Sequence, residues 1–316
     1  MSLFSVLRAQ GQEAAQAAGD HGAESSGPMP MDELSDFASH HIGDSKEIEL
    51  FGGHWSLERF SVDPINLGPI NLGPINLGPI VIDLSPTRHV VVMVLVAVLM
   101  LVIFIPLAGT LRKRGKEKAP SGRANAAEAA IIYFRDEVVR ANIGHGADAF
   151  TPFILTIFFF VLGMNLIGLT PLGITPTANI SVTAALAVIS FVVIEVAGFR
   201  ALGPAGYART IFFLPPGLPV LMKPPMLVIL TVVEFLGKFA KPFALAIRLM
   251  ANMTAGHTLI LPLMGAIFVL QNYFVGIGAV AAASALMILE LFVAFLQAYI
   301  FALLTSVFIG LIRHAH

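Results

Sequence analysis

The sequence predicts an all-α membrane protein with about five transmembrane helices, the last two forming a long, tilted antiparallel hairpin. Of 316 residues, 56% are hydrophobic and only 12% are charged. This balance is typical of polytopic membrane proteins and excludes an ordinary soluble enzyme. The chain has no cysteine, which excludes disulfides, thiolate metal sites and a cysteine nucleophile.

Residues 1–87 form an acidic extension that is predicted to lie outside the membrane. They carry twelve acidic residues against Arg8, Lys46 and Arg59. The motif Pro64-Ile-Asn-Leu-Gly68 recurs at 69–73 and 74–78. A Pro- and Gly-containing period of this length fits no solenoid unit, so the repeat predicts an extended, proline-stiffened linker.

The basic residues determine the predicted topology of the membrane domain, residues 88–316. The first span is Val90–Ala108, and a basic cluster follows it directly, from Arg112 to Arg123. By the positive-inside rule, this cluster is cytoplasmic and residues 1–87 are extracytoplasmic. An amphipathic helix, Asn125–Arg140, is then expected to lie at the inner interface.

The middle of the chain continues this alternation. Spans are predicted at about residues 150–170 and 180–199. Arg200, Arg209 and Lys223 are then expected in an inner loop. Glu195 falls at the inner end of the third span and is interpreted as an interfacial carboxylate.

The two remaining apolar segments, residues 224–270 and 274–312, are both too long for one perpendicular crossing. Fully helical, they would measure roughly 70 and 58 Å, against a hydrocarbon core of about 30 Å. They must tilt strongly or break, and Pro242 is one expected break. A turn near residues 271–273 outside the membrane leaves the C-terminus inside.

Arg248 is the most informative residue of this hairpin. An arginine near the centre of a membrane helix costs about 2.5–3.5 kcal/mol on insertion scales. Its guanidinium cannot deprotonate to escape burial, so its charge is permanent. Apolar residues continue on both sides, which disfavours a snorkelling arginine near a helix end. Arg248 is therefore predicted to be functional.

Other polar residues of the hairpin fall in register with Arg248. In an antiparallel hairpin, residues at one depth have position numbers with a constant sum, and the pairs Arg248–Gln297 and His257–Glu290 nearly share one. His257 and Glu290 are then nearer the outer surface, whereas Glu234 and Lys238 are nearer the inner surface. Glu234 lies on the face of Arg248, about 21 Å away, and His257 lies on the opposite side. This arrangement favours two offset half-channels over one continuous pore.

Structural alternatives remain open for each of these residues. His257 and Glu290 could form a structural pair between helices, and Gln297 and Asn252 could join the helices by hydrogen bonds. Glu234 and Lys238 are spaced as an i,i+4 salt bridge.

The hairpin resembles subunit a of the F-type ATP synthase, on the residues Arg248-Leu-Met-Ala-Asn252-Met-Thr-Ala-Gly-His257, Glu290 and Leu296-Gln-Ala-Tyr-Ile300. Pro176-Thr-Ala-Asn-Ile-Ser-Val-Thr183 is similar to another segment of that family. The resemblance covers about residues 88–314. It implies that Arg248 is the essential stator arginine, with Asn252 and Gln297 beside it. It also implies that Glu234 belongs to the inner channel and His257 with Glu290 to the outer one, in exchanged order relative to the enteric form.

The resemblance also implies partners and a mechanism. Protons would pass through two half-channels to and from carboxylates on a rotating ring of c subunits, and peripheral stalk b subunits and the rest of the ATP synthase complex would be partners. The expected location is the bacterial inner membrane. No cofactor, metal site or nucleic acid is expected, and the chain has no phosphate-binding loop for nucleotide chemistry. The alternative is a proton-coupled secondary transporter, which predicts internal repeats of spans that the sequence does not show.

Overall fold

The computed structural model describes residues 47–50, 53–56, 65–72, 75–82, 87–114, 123–170, 174–212, 223–270 and 273–314. Most of the acidic extension thus lies outside the described residues. The strands β1 (Glu47–Leu50) and β2 (Gly53–Ser56) pair antiparallel, as do β3 (Ile65–Leu72) and β4 (Ile75–Ile82). The repeat, predicted as an extended linker, folds back on itself as a hairpin, in which Pro69 lies opposite Pro79.

The membrane domain is all-α, which confirms the predicted fold class. Its long helices are α1 (Arg88–Arg114), α2 (Arg123–Tyr133), α3 (Thr151–Gly168), α4 (Ile180–Ile211), α5 (Lys223–Leu270) and α6 (Tyr273–Arg313). Four helices of the described residues are long and apolar enough to cross a membrane: α1, α3, α4 and α6. The 48-residue α5 is the fifth predicted span.

Two helices differ from their predictions. The predicted amphipathic helix is α-helical only in α2 and continues as a π-helix, Phe134–Arg140. α4 does not end near Phe199 but runs on to Ile211 across a break at Gly203, where φ is +68°. The backbone changes direction at Gly203 and Pro204, and the helix continues beyond them. Arg200 and Arg209 are therefore helical and not in a loop.

The hairpin of α5 and α6 is present, with bounds within one residue of the predicted segments. The break expected at Pro242 is not found, because α5 continues through it. At 48 residues, a continuous α5 is about 72 Å long. Because α5 is unbroken and longer than a membrane is thick, it must be strongly tilted within the membrane.

Small side chains let α6 pack closely in the bundle. α6 contacts α3, α4 and α5, and its buried face carries residues at intervals of four: Ala294, Ala298, Ala302, Ser306 and Gly310. Such small residues allow membrane helices to approach closely without a hydrophobic driving force. Gly310 lies directly against the backbone of Asn142, and Ser306 donates a hydrogen bond to the carbonyl of Val138 at 3.0 Å. The C-terminal end of α6 is thereby held against the segment that follows α2.

Candidate functional site

Arg248 lies near the middle of α5 on the face turned away from the bundle. Leu245, Leu249 and Met253 form the buried face of this helix, whereas Arg248 is exposed. Among the described residues, its side chain forms no hydrogen bond and no ion pair. The helix therefore presents a permanent charge outward near its middle, and the described side chains supply no counter-ion for it.

Asn252 joins α5 to α6 one helical turn beyond Arg248. Its Nδ2 donates to Gln297 Oε1 at 2.9 Å. Gln297 is fully buried, and its Nε2 has no hydrogen-bond partner among the described residues. A buried amide donor without a partner is costly and points toward a site completed by another group. Gln297 was predicted to lie at the depth of Arg248, and it bonds a residue one turn away from Arg248.

Glu290 packs directly against the backbone of α5. A Cβ atom added at Gly256 would overlap the Glu290 carboxyl group, so glycine is what leaves room for the carboxylate. Its Oε2 is buried without a hydrogen-bond partner among the described side chains. The side chain of His257, next to Gly256, lies outside the described part, and its pairing with Glu290 stays a prediction.

Asn165 and Thr177 support α6 beside Glu290. Asn165 is fully buried, accepts a 2.6 Å hydrogen bond from Thr177 and donates one of 3.2 Å to the carbonyl of Ala294. Ala294 lies one turn beyond Glu290. Because both polar groups of Asn165 are occupied within the protein, this amide acts as a structural brace.

Toward the N-terminal end of α5, the alternative of an i,i+4 salt bridge between Glu234 and Lys238 is not found. Lys238 Nζ lies 3.3 Å from Glu195 Oε2 on α4, and Glu234 is exposed. Tyr207 completes the group, since its hydroxyl donates to Glu195 and accepts from Lys238 at 3.2 Å. Glu195 is accordingly the partner of a nearly buried lysine and not a free interfacial carboxylate.

Glu195, Glu234 and Lys238 line a cavity of about 120 Å³ between α4, α5 and α6. Glu195, Thr210, Glu234, Lys238 and Lys241 provide its polar lining, and Phe308 with its apolar neighbours on α6 closes the other side. The sequence could not reveal this group, because Tyr207 fell in a predicted loop and Glu195 is 43 positions from Lys238. The cavity is large enough to hold water, and it lies at the end of the hairpin where α5 begins and α6 ends.

An ionic cluster lies on the surface between α2 and α3. Arg140 bonds both Asp136 and Asp148, at 3.0 and 2.9 Å, and Arg135 bonds Asp136. Hydrogen bonding to Arg135 lowers the pKa of Asp136, and hydrogen bonding to Arg140 lowers the pKa of Asp148. These charges are solvent-exposed, which agrees with a position outside the hydrocarbon core.

Ionisable side chains inside a bundle of spanning helices define a membrane protein that handles ions or protons. The family model described as "ATP synthase A chain" matches residues 90–310. The chain therefore belongs to the ATP synthase A chain family, and it is a multi-pass membrane subunit that works within the ATP synthase complex.

Individual relatives agree with this assignment. The ATP synthase subunit a of Chloroherpeton thalassium is 47% identical over 229 residues, covering 72% of this chain and 67% of the relative. That of Anaeromyxobacter dehalogenans strain 2CP-C is 41% identical over 315 residues, covering 96% and 77%. That of Chlorobium phaeobacteroides is 38% identical, covering 98% and 83%. Similarity to the last two thus extends through the acidic extension.

Proposed function

We propose that this chain is the proton-conducting stator of the ATP synthase, with two offset half-channels that meet a rotating ring of c subunits at Arg248. The observation that carries the proposal is the outward-facing Arg248, which has no partner among the described residues. A lone arginine at mid-membrane costs about 2.5–3.5 kcal/mol or more, so it requires a counter-ion from beyond the described residues. A ring carboxylate passing along α5 would supply it.

Arg248 would act on the ring by electrostatics. An opposite charge at close range favours the ionised form of a carboxylate, so a ring carboxyl group would release its proton as it reaches Arg248. The fixed positive charge would also block direct passage of protons between the half-channels. Asn252, one turn beyond Arg248, bonds Gln297 and would keep the α5–α6 contact in register there.

The half-channels are proposed to lie on opposite sides of Arg248. Glu234, at the cavity between α4 and α5, would serve the inner one, and His257 with Glu290 would serve the outer one. Glu234 precedes Arg248 by about 21 Å along the helix axis, and Gly256, which contacts Glu290, follows it by about 12 Å. Protons would have to ride on the ring to pass between them, and each charge would gain about 2.3 kcal/mol per 100 mV.

Replacing Arg248 tests this function directly. Arg248→Ala should abolish ATP-driven proton pumping and proton-driven ATP synthesis while the subunit still inserts, and Arg248→Lys should fail largely because an ammonium lacks the guanidinium's spread charge and fixed protonation. Quenching of a pH-sensitive dye in membrane vesicles measures pumping. Coupled pumping above a few per cent of wild type in Arg248→Ala would exclude the stator role.

The proposed orientation places residues 1–87 outside and the C-terminus in the cytoplasm of a bacterial inner membrane, with peripheral stalk b subunits as further partners. Its support is the basic cluster after α1. Because the chain has no cysteine, Ser61→Cys and Ser121→Cys can be labelled singly with an impermeant maleimide. The two should label from opposite sides, and labelling from the same side would contradict the orientation.

The alternative function, a proton-coupled secondary transporter, has no observation in its favour. Its expected sign is a repeat of spanning helices in matched halves of the chain. A purely structural scaffold is equally unsupported, because it would not need an exposed charge at mid-helix.

A further inference from the structure

We propose that Glu195 and Tyr207 are positioning residues of the inner half-channel, which hold the Lys238 ammonium away from Glu234 and so keep Glu234 free for proton transfer. This inference rests on the function proposed above. It concerns a group of side chains, the Glu195–Tyr207–Lys238 cluster, that pairs charges across α4 and α5 beside the cavity.

The sequence alone favours a different partner for Lys238. Glu234 precedes Lys238 by four residues on α5, and a glutamate in that position is the favourable orientation for an i,i+4 ion pair. Lys238 nonetheless bonds Glu195 on α4. Two carboxylates thus compete for Lys238: Glu234 on its own helix and Glu195 on α4.

Burial explains why the partner on α4 prevails. The Lys238 and Glu195 side chains are 9% and 19% exposed, whereas Glu234 is exposed. Charges attract more strongly in the low dielectric of a partly buried site than at a surface. The Tyr207 ring also lies 4.3 Å from Lys238 Nζ and adds a cation–π contact to the hydrogen bond from Nζ to its hydroxyl.

The break in α4 brings Tyr207 to this position. Gly203, at φ +68°, and Pro204 redirect the helix, and Tyr207 lies one turn later. The redirected end returns its hydroxyl to Glu195, three turns earlier on the same helix. The irregular end of α4 thus serves to complete the side-chain cluster.

The consequence concerns proton exchange at Glu234. A carboxylate with an ammonium one turn away is favoured in its ionised form and accepts a proton less readily. Glu195 and Lys241 are the other charged groups lining this cavity together with Lys238, and α6 faces it with apolar side chains. Tyr207 contacts Glu195 and Lys238 beside the cavity. Lys241 lies 5.3 Å from the Phe308 ring. Lys238 is the cation nearest Glu234 in sequence, and its pairing with Glu195 determines where that charge lies.

The test is a set of variants in the whole ATP synthase in membrane vesicles. Passive proton flux is measured per assembled complex as a function of the pH on the inner side. Glu195→Gln should release Lys238 to Glu234, lower the flux about fivefold and move the profile to lower pH, because an exposed i,i+4 pair changes an equilibrium about twofold and a partly buried one more. Glu195→Asp, the matched control, keeps the charge and should retain most of the flux and the wild-type profile.

A second substitution, Lys238→Met, distinguishes a positioning role of Glu195 from a purely structural one. Adding Lys238→Met to Glu195→Gln should return the profile to that of the wild type. An unchanged profile in Glu195→Gln, or a shifted one that Lys238→Met does not restore, would overturn the inference. A loss of assembled complex with unchanged flux per complex would reduce the cluster to a structural tether and would overturn it as well.

Glu234→Gln, measured beside these variants, distinguishes this inference from the proposed function. If Glu234→Gln leaves the flux unchanged, Glu234 is not on the proton pathway and the proposed function loses its inner residue. If Glu234→Gln lowers the flux and Glu195→Gln does not, only the positioning role fails.

Discussion

The carboxylates on the two sides of Arg248, Glu234 and Glu290, differ in their surroundings. On the inner side, Glu234 faces a cavity of about 120 Å³, and the charges around it are arranged by side-chain contacts between α4 and α5. On the outer side, Glu290 lies directly on the backbone of α5 at Gly256. The Glu234 carboxylate lines an open cavity, whereas the Glu290 carboxylate occupies the space that Gly256 leaves on α5. Substitutions of similar size should therefore have different effects on the two sides.

The largest effect is expected at Gly310, where the inner side is closely packed. A Cβ there would overlap the carbonyl oxygen of Asn142, and a backbone atom cannot move aside as a side chain can. Gly310→Ala should destabilise the subunit by about 1–3 kcal/mol. Gly278→Ala is the matched control on α6, because no atom lies within 4 Å of its added Cβ.

The amount of subunit in purified complexes and its thermal unfolding temperature measure this difference. Normal assembly of Gly310→Ala would show that α6 can withdraw from the segment after α2. The inner side would then be loose along its whole length, and the contrast with the outer side would be sharper.

A smaller effect, on flux and not on assembly, is expected at Gly256. Its added Cβ would overlap only the end of the Glu290 side chain, which can rotate away. Gly256→Ala should leave the complex intact and lower proton flux roughly tenfold, because a small displacement of a reacting group costs about that much or more. Gly237→Ala on the inner part of α5 has no atom within 4 Å and should retain its flux.

Flux per assembled complex in vesicles compares the two glycine variants. Equal flux in Gly256→Ala and Gly237→Ala would mean that close packing at Glu290 is irrelevant to conduction. The proposed difference between the two sides would then fail at its outer end.

The smallest net change is expected from exchanging the outer pair. Either His257→Gln or Glu290→Gln should impair proton entry, since the remaining group of the pair would stand without its partner in a low-dielectric site. The exchange His257→Glu with Glu290→His preserves the chemistry of the pair and should restore more pumping than either single change. Dye quenching driven by ATP compares all three. A double variant no better than the worse single would show that the two residues are not coupled.

The sequence by itself determined the class of fold and the length and order of its main helices. Long apolar runs must be helical in a membrane, because every backbone polar group has to be satisfied within the segment. The bounds of α5 and α6 followed from the apolar runs of the sequence, and the levels of Gln297 and Glu290 beside α5 followed from the position of the turn. Helix rise is constant, so a hairpin's register follows from the position of its turn.

Tertiary structure decided which side chains meet. Lys238 has a carboxylate at the right spacing on its own helix, yet it bonds Glu195 across the cavity, because burial strengthens that pair and Tyr207 adds to it. The continuation of α4 past Gly203 and the pairing of the Pro-Ile-Asn-Leu-Gly repeat as a hairpin were likewise invisible locally. Local patterns report the period and length of an element. The choice among competing partners depends on distance and burial in the folded chain.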